Sequence, residues 1–224
     1  MTNRVVSLFD VDDVDGFGPV REMTCSRVPR ADVNEFCRRW HYANGGGSMT
    51  WNYGLWDGIT LVGVVSYNIP TREACAAVFG VERTLWVAHM GRLVCADDAP
   101  RNTESRLIAA SLRLFRRDYP VVRAVLTYAA VGEGHIGYVY QATNALYIGT
   151  TSATHYYKDQ HNRRRSSKQG VRLSIPKAIA RGWEVHHEPG KHRYIYLLGS
   201  KTERRESARL LKYETQPYPK AASA

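Results

Sequence analysis

A histidine between two glycines is the most informative chemical feature of this sequence. His135 lies in the segment Gly134-His135-Ile136-Gly137, where a predicted strand meets a predicted helix. An imidazole on such a loop is reachable and titrates near neutral pH, so His135 is predicted to be a general base or a donor that orients a ligand. The alternative is a turn histidine that bonds only to the backbone.

Two polar side chains follow His135 on the predicted helix. Tyr140 and Asn144 are one helical turn apart and are expected to share a face, with Tyr147 just beyond them. A polar face on this helix is one interpretation of the spacing. Packing of the tyrosines in the core is the alternative.

Aromatic side chains and a second histidine precede a glycine-rich loop. Trp40, His41 and Tyr42 come shortly before three glycines at positions 45–47. Two aromatic rings and an imidazole beside an adaptable backbone suit a pocket in which a flipped nucleobase stacks. The alternative is a packed tryptophan and a satisfied histidine at the end of a helix.

A third group combines a cation with the start of a helix. Arg92 lies on a predicted strand, and the helix that follows begins at Asn102, with Glu104 and Ser105 in its first turn. Free N–H groups at a helix start bind phosphate or carboxylate, so these residues are predicted to hold the anionic part of a cofactor. Capping by Asn102 or Thr103 explains the same residues without a ligand.

Cations outnumber acidic residues and are grouped. The chain has 31 Lys and Arg against 21 Asp and Glu, a formal net charge of +10, which favours a polyanionic partner such as nucleic acid or an anionic membrane surface. A solvated face is the usual meaning of a basic run, but the neighbouring Tyr156, Tyr157 and Tyr194 favour nucleic acid here. The residues predicted to contact DNA, together with Trp40, are Arg163, Arg164, Arg165, Lys168, Lys191, His192 and Arg193.

The elements that must position these residues alternate between strands and helices. A helix runs through Phe36 to Trp40, and a later helix places Leu107, Ile108, Leu112 and Phe115 on one face. A further short helix covers 138–144. Strands are predicted at 52–56 and 61–67 around an Asp57-Gly58 turn, and at 85–95, 121–128, 146–157 and 193–198. This order predicts an α/β fold.

The composition predicts one soluble domain. Residues 26–212 are expected to form it, between an irregular segment at 1–25 and a flexible tail at 213–224 that lies outside the core. No apolar run reaches the length of a membrane span, and the first residues lack the order of a signal peptide. We therefore expect a cytoplasmic protein with no membrane partner.

Several segments together resemble a known family. Over roughly residues 30–200, the chain is similar to the Mom family of phage DNA-modification proteins in FCRRWHY, NYGLWDGITLVGVVSY, RLVCADDAPRNTESRLIAASLRLFRR, VLTYAA, GHIGYVYQATNALYIGTT and KHRYIYLLG. The resemblance implies a GNAT acyltransferase-like fold, with a central mixed β-sheet flanked by helices. It also implies conversion of adenine in double-stranded DNA to its N6-carbamoylmethyl form, which protects phage DNA from restriction in the bacterial host cell.

The resemblance also implies roles for particular residues. The active-site residues would be His41 and Tyr42 from the WHY segment, Arg92, Asn102 and Ser105 from the strand-loop-helix, and His135, Tyr140 and Asn144 from the GHIGYVYQATN segment. The family often has Asp where this chain has Ala130, and Trp where it has Ala145. An acetyltransferase that acts on a protein or a small amine, and a DNA-binding module without catalysis, are the alternative functions.

The donor of the transferred group stays open at this stage. A GNAT-like fold usually binds coenzyme A on a glycine-rich loop, but DDAPRNTES contains no glycine. Acetyl-CoA and an aminoacyl donor such as glycyl-tRNA therefore both remain candidates. A metal ion such as iron is also open, because eight His and fourteen Tyr are present without a spacing that specifies a site.

Overall fold

The computed structural model describes residues 17–40, 49–131, 134–166 and 173–220. The strands are β1 (Thr24–Arg27), β2 (Trp51–Asp57), β3 (Thr60–Asn68), β4 (Val87–Cys95), β5 (Ala124–Ala130), β6 (Leu146–Thr150), β7 (Thr154–Lys158), β8 (Arg164–Ser166), β9 (Glu184–Glu188) and β10 (Lys191–Leu197). The helices are α1 (Arg30–Trp40), α2 (Arg72–Phe79), α3 (Thr103–Asp118), α4 (Tyr138–Ala142), α5 (Ile175–Ala180) and α6 (Lys201–Leu210), and a 3-10 helix covers Val81–Trp86.

Seven strands form the central sheet in the order β1-β2-β3-β4-β5-β10-β6. Neighbouring strands are antiparallel except β4 and β5, which are parallel and are connected through α3. A parallel pair needs a crossover connection, and α3 supplies it. The sheet is therefore mixed, as predicted.

Helices cover both faces of this sheet. The apolar stripe of α3 packs on the face that carries Val65 and Tyr67, whereas α1 packs against Val64 on the opposite face. Further along, α2 covers Leu126 on the same face as α1. Since side chains alternate along a strand, Val64 and Val65 point in opposite directions. The predicted α/β class, with helices flanking a central sheet, is confirmed.

A second, smaller sheet lies between β6 and β10 in the chain. It has the order β8-β7-β9, helix α5 packs against β9, and Tyr157 on β7 is fully buried. The Tyr157 hydroxyl donates to the carbonyl of Leu173 at 2.7 Å, and its ring lies 6.4 Å from that of Trp183. This sheet carries the predicted basic cluster.

Some element predictions need correction. The segment 146–157 is not one strand, because β6 ends at Thr150 in the central sheet and β7 starts at Thr154 in the small sheet. Helix α2 was absent from the sequence prediction. The irregular segment at 1–25 gives way to strand β1 already at Thr24.

Residues 213–220, in the segment expected to lie outside the core, make hydrogen bonds to the domain although most of them are exposed. The Gln216 amide donates to the carbonyl of Tyr147 at 2.9 Å, and the Tyr218 hydroxyl donates to the carbonyl of Ala145 at 2.9 Å. The tail thus follows the edge strand β6. Among the described helices, none is long and apolar enough to span a membrane.

Candidate active site

The parallel strands β4 and β5 separate part of the way along their length. They pair only from Val87 to His89, opposite Ala124 to Leu126, although β4 continues to Cys95 and β5 to Ala130. In α/β folds, a crevice where neighbouring strands diverge is the usual place for a ligand. His89 stands at the last paired position.

A β-bulge determines which side chains share this crevice. Asn68 lies opposite His89 and Ser66 lies opposite Arg92, so Gly91 is the extra residue on β4. Strict alternation along the strand would place His89 and Arg92 on opposite faces of the sheet. Because of the extra residue, both side chains lie on the same face. A Cβ at Gly91 would lie 2.7 Å from Nδ2 of Asn68, so only glycine leaves room for that carboxamide.

The imidazole of His89 is neutral at physiological pH. Burial, together with the positive charges of Arg92 and Lys191, lowers its pKa to about 4. Nδ1 lies 3.1 Å from Oδ1 of Asn68, and the ring contacts that of Tyr128 edge to face at 5.3 Å. Since a carboxamide oxygen only accepts, Nδ1 carries the proton and Nε2 holds a lone pair. Nε2 has no hydrogen bond within the described residues, so it can accept a proton.

This buried histidine predicts a pH-dependent stability. In an unfolded chain the pKa is about 6.5, so the unfolded state gains a proton below that pH while folded His89 stays neutral down to about 4. The free energy of unfolding is expected to fall by about 3 kcal/mol as the pH drops through this window. Urea unfolding of the parent and of His89→Gln at pH 7 and pH 4.5 measures it. Asp118, Asp159 and Glu203, whose pKa values are lowered, contribute equally to both proteins, so equal pH dependence of the two would contradict this assignment.

Two hydroxyls near the strand separation lack partners. Ser66, opposite Arg92, and Thr127, the first β5 residue beyond the pairing, are fully buried, and neither hydroxyl has a hydrogen bond in the described structure. Buried polar atoms are normally paired with protein or water. A polar ligand or water in the crevice would satisfy the Ser66 hydroxyl, which lies on the same face as His89 and Arg92. Thr127 follows Leu126 and points to the opposite face of the sheet.

The structure places the residues predicted around His135 in different local environments. His135 is exposed just after β5, and its amide donates to the carbonyl of Ala130. Tyr140 is half-buried, with its ring 5.5 Å from that of Tyr194. Asn144 lies beyond the end of α4 with φ of 61° and is exposed, so it does not share a helical face with Tyr140. Asn144 instead lines a separate cavity.

The start of α3 differs in detail from the prediction. Asn102 is the residue before the helix, with φ of 73°, but its side chain makes no capping hydrogen bond. The Thr103 hydroxyl donates backwards to the carbonyl of Pro100 at 2.6 Å. Glu104 is exposed and Ser105 half-buried. The predicted side-chain cap is wrong, which leaves first-turn amides available for an anion.

The predicted DNA-binding arginines on the small sheet are all in ion pairs. Nε of Arg163 and of Arg165 lie 3.1 and 2.9 Å from Oδ2 of Asp159, and Arg164 lies 2.9 Å from Glu188. Burial raises the pKa of Asp159, but hydrogen bonds from Arg163 and Arg165 outweigh it and leave the pKa well below its usual value. Three cations against two anions leave this surface moderately positive.

Of the residues on β10 predicted to contact DNA, Lys191 is the one whose side chain makes no hydrogen bond within the described residues. The guanidinium of Arg193 lies over the Tyr213 ring at 4.4 Å and donates to the carbonyl of Thr150 at 3.1 Å. His192 pairs with the Tyr147 hydroxyl at 2.9 Å. Lys191 is exposed. Lys191 is therefore the cation on this strand that can reach a phosphate.

Three predicted site residues, His41, Tyr42 and Lys168, lie outside the described residues. Trp40, immediately before them, is half-buried at the end of α1 and packs on the cluster that contains Val64 and Val94. Within the described ranges, no three His, Cys, Asp or Glu side chains come together as a metal site.

Comparison with known proteins gives a consistent similarity over most of the chain. A model of the Mom protein family matches residues 22–220. The methylcarbamoylase Mom of Escherichia phage Mu is 32% identical over 177 residues, which are 75% of this chain and 70% of that protein. Among solved structures, the spermidine/spermine N-acetyltransferase SpeG of Vibrio cholerae has a TM-score of 0.47 at 9% identity, covering 85% of this chain and 98% of its own. An N-acetyltransferase of Staphylococcus aureus has a TM-score of 0.45 at 13% identity, covering 78% and 97%.

Proposed function

Since this chain belongs to the Mom protein family, we propose that it is a transferase that modifies adenine in double-stranded DNA to N6-carbamoylmethyladenine. The matched phage Mu protein is named a methylcarbamoylase. The observation that carries the proposal is the neutral imidazole of His89 at the separation of β4 and β5, with Arg92 and Lys191 around it.

This arrangement suits the chemistry of an adenine amine. The N6 lone pair is delocalised into the ring, so N6 is a poor nucleophile. Its proton must leave as N6 bonds to the donor carbon, while the bond from that carbon to the leaving group of the donor breaks and the leaving group takes the electron pair. Nε2 of His89 accepts that proton. Arg92, on the same face of the sheet, stabilises negative charge that develops on the donor.

The adenine must leave the base stack to reach a half-buried histidine. Enzymes that act on a base in a duplex flip it into a pocket, where it stacks on aromatic side chains. Trp40 supplies such a ring, and it packs in the same cluster as Val94, two residues after Arg92. Lys191 binds a phosphate beside the flipped nucleotide.

The start of α3 binds the donor in this proposal. Amides of the first turn, around Glu104 and Ser105, have no side-chain cap from Asn102. An anionic group of the donor would accept hydrogen bonds from them. Acetyl-CoA and glycyl-tRNA both carry phosphates of this kind.

Nucleoside mass spectrometry tests the proposed function. DNA from cells that express the protein, digested with nucleases, is expected to contain a deoxyadenosine heavier by one carbamoylmethyl group. Unmodified DNA, together with acetylation of a protein or a small amine, would show an acetyltransferase instead. Unmodified DNA with retained DNA binding would show a binding module without catalysis.

DNA binding is expected to weaken when Arg163, Arg164 and Arg165 are replaced by Ala. The triple variant removes three positive charges, so the slope of log K against log salt should become shallower by about 2 to 3. The matched control removes three exposed cations from α6: Lys201, Arg205 and Arg209. Arg164→Ala alone keeps the Asp159 ion pairs and separates loss of charge from loss of loop structure. Equal salt slopes for parent and triple variant would remove this surface from the DNA interface.

A further inference from the structure

A large cavity opens between α3, the turn after α4, the end of β10 and the start of α6. Its volume is about 820 Å³, within the range of small-molecule sites. It is separate from the strand separation described above. His89 pairs with Leu126, which packs in the cluster that contains α2, whereas the cavity residue Tyr196 packs in the cluster that contains α3, so the two sites lie on opposite faces of the sheet.

One wall of this cavity is apolar. Leu112 from α3, Leu146 from β6 and Leu198 after β10 line it, together with Tyr196. The Tyr196 hydroxyl is already bonded to that of Thr143 at 2.6 Å. The wall therefore suits an aromatic ring or another apolar group of a ligand rather than a strongly hydrated ion.

The mouth of the cavity is cationic. Glu203 is the one acidic residue among those that line it, and it is already paired with Arg116 at 2.6 Å and with Arg123 at 3.1 Å. Arg113 and Arg204 also line the cavity, and neither makes a salt bridge within the described residues. Two guanidinium groups without acidic partners attract a phosphate, which each can bind through two parallel hydrogen bonds.

The side-chain carboxamide of Asn144 can form hydrogen bonds with a heterocyclic base. It is exposed, lines the cavity and adopts φ of 61°, a left-handed conformation that asparagine tolerates better than most residues. Its side-chain carboxamide has no hydrogen bond within the described residues. A carboxamide offers both a donor and an acceptor, which is the pattern that pairs with the edge of adenine.

We propose that this cavity is a binding site for a nucleoside phosphate, distinct from the site of DNA modification. The phosphate binds Arg113 and Arg204, the base packs on the leucine wall, and Asn144 bonds to the base edge. This site does not depend on the proposed function, because none of its residues lies at the separation of β4 and β5.

Calorimetric titration of the full chain with adenosine 5′-monophosphate tests the proposal. Saturable binding with Kd below about 1 mM is expected, with adenosine and inorganic phosphate each weaker. Arg113→Ala and Arg204→Ala should each weaken it at least about tenfold, and Arg205→Ala, an exposed neighbour on α6 outside the cavity, should not. Asn144→Ala should weaken the nucleotide and leave inorganic phosphate unchanged.

Three outcomes would overturn this site. The first is no saturable binding of the nucleotide. The second is equal affinity in Arg204→Ala and the parent. The third is loss of binding in Lys191→Ala instead, which would place the nucleotide at the strand separation. Since Arg113 and Arg204 are exposed, their replacement should leave the melting temperature nearly unchanged, which a thermal melt of each variant checks.

Discussion

Replacing His89 with glutamine is expected to lower the yield of modified deoxyadenosine by at least about 100-fold at matched expression. A general base typically contributes about 10²- to 10⁴-fold, and glutamine cannot take up a proton. Its carboxamide can still bond to Asn68, so the local structure should persist. The measurement is nucleoside mass spectrometry, with a thermal melt and a DNA-binding curve for the same variant.

His135→Ala is the companion measurement, because His135 is the base predicted from the sequence. Its side chain is exposed, so the change should leave the fold intact. Loss of modification in His89→Gln with a smaller loss in His135→Ala supports His89 as the base. Full activity in His89→Gln, with loss in His135→Ala, would return that role to His135.

The pH profile of the reaction separates a base from a positioning residue. Because the pKa of His89 is about 4, its lone pair is available throughout the neutral range, and activity should not decline near pH 6.5 through this residue. Arg92 and Lys191 keep the pKa low, and Tyr128 and Asn68 are its other neighbours. Lys191→Ala is therefore expected to raise the pKa of His89 and to move the acidic limb of the profile towards neutral pH.

The sequence predicted most of the central sheet because hydrophobic patterning dominates there. The hairpin of β2 and β3 follows from alternating apolar residues around Asp57-Gly58, and Gly58 adopts the positive φ of 57° that such a turn requires. Strand β5 follows from an apolar run. Helix α2 was missed because no helical stripe in its eight residues stands out from the flanking strands.

His89 was missed for a different physical reason. In a strict strand, His89 and Arg92 would lie on opposite faces, and a histidine among apolar residues looks like a core residue. The signal was Gly91, because a glycine inside a strand often marks a bulge. Only the register between β3 and β4 shows that the bulge returns His89 and Arg92 to one face.

The basic clusters show what a sequence alone cannot reveal. Spacing does not predict that Arg164 pairs with Glu188 or that Arg193 lies over Tyr213, because these contacts depend on strand pairing and on the path of the tail. Of the cations on β10 predicted to bind DNA, Lys191 is the one whose side chain makes no hydrogen bond or ring contact within the described residues. The number of cationic side chains left without a partner therefore depends on the fold and not on the sequence spacing alone.

Replacing Gly137 with alanine is expected to lower the free energy of unfolding by about 2 to 5 kcal/mol, because two costs add. Gly137 has φ of 73°, where a side chain is strained by about 1 to 2 kcal/mol. An added Cβ would also lie 2.5 Å from Cε2 of the buried Tyr194 ring, and overpacking typically costs about 1 to 3 kcal/mol. For a chain of this size, the melting temperature should fall by about 5 to 15 °C.

Gly134→Ala is the matched control on the same loop. Gly134 has nearly the same φ, 71°, but no atom lies within 4 Å of an added Cβ. Only the backbone strain of about 1 to 2 kcal/mol remains, so its melting temperature should fall by about 2 to 8 °C. Since the Tyr194 hydroxyl donates to the carbonyl of Ile136, beside His135, displacement of Tyr194 in Gly137→Ala should also reduce DNA modification more than Gly134→Ala does. Equal melting temperatures for the two variants would show that Tyr194 can move aside, and that backbone conformation alone explains the glycines around His135.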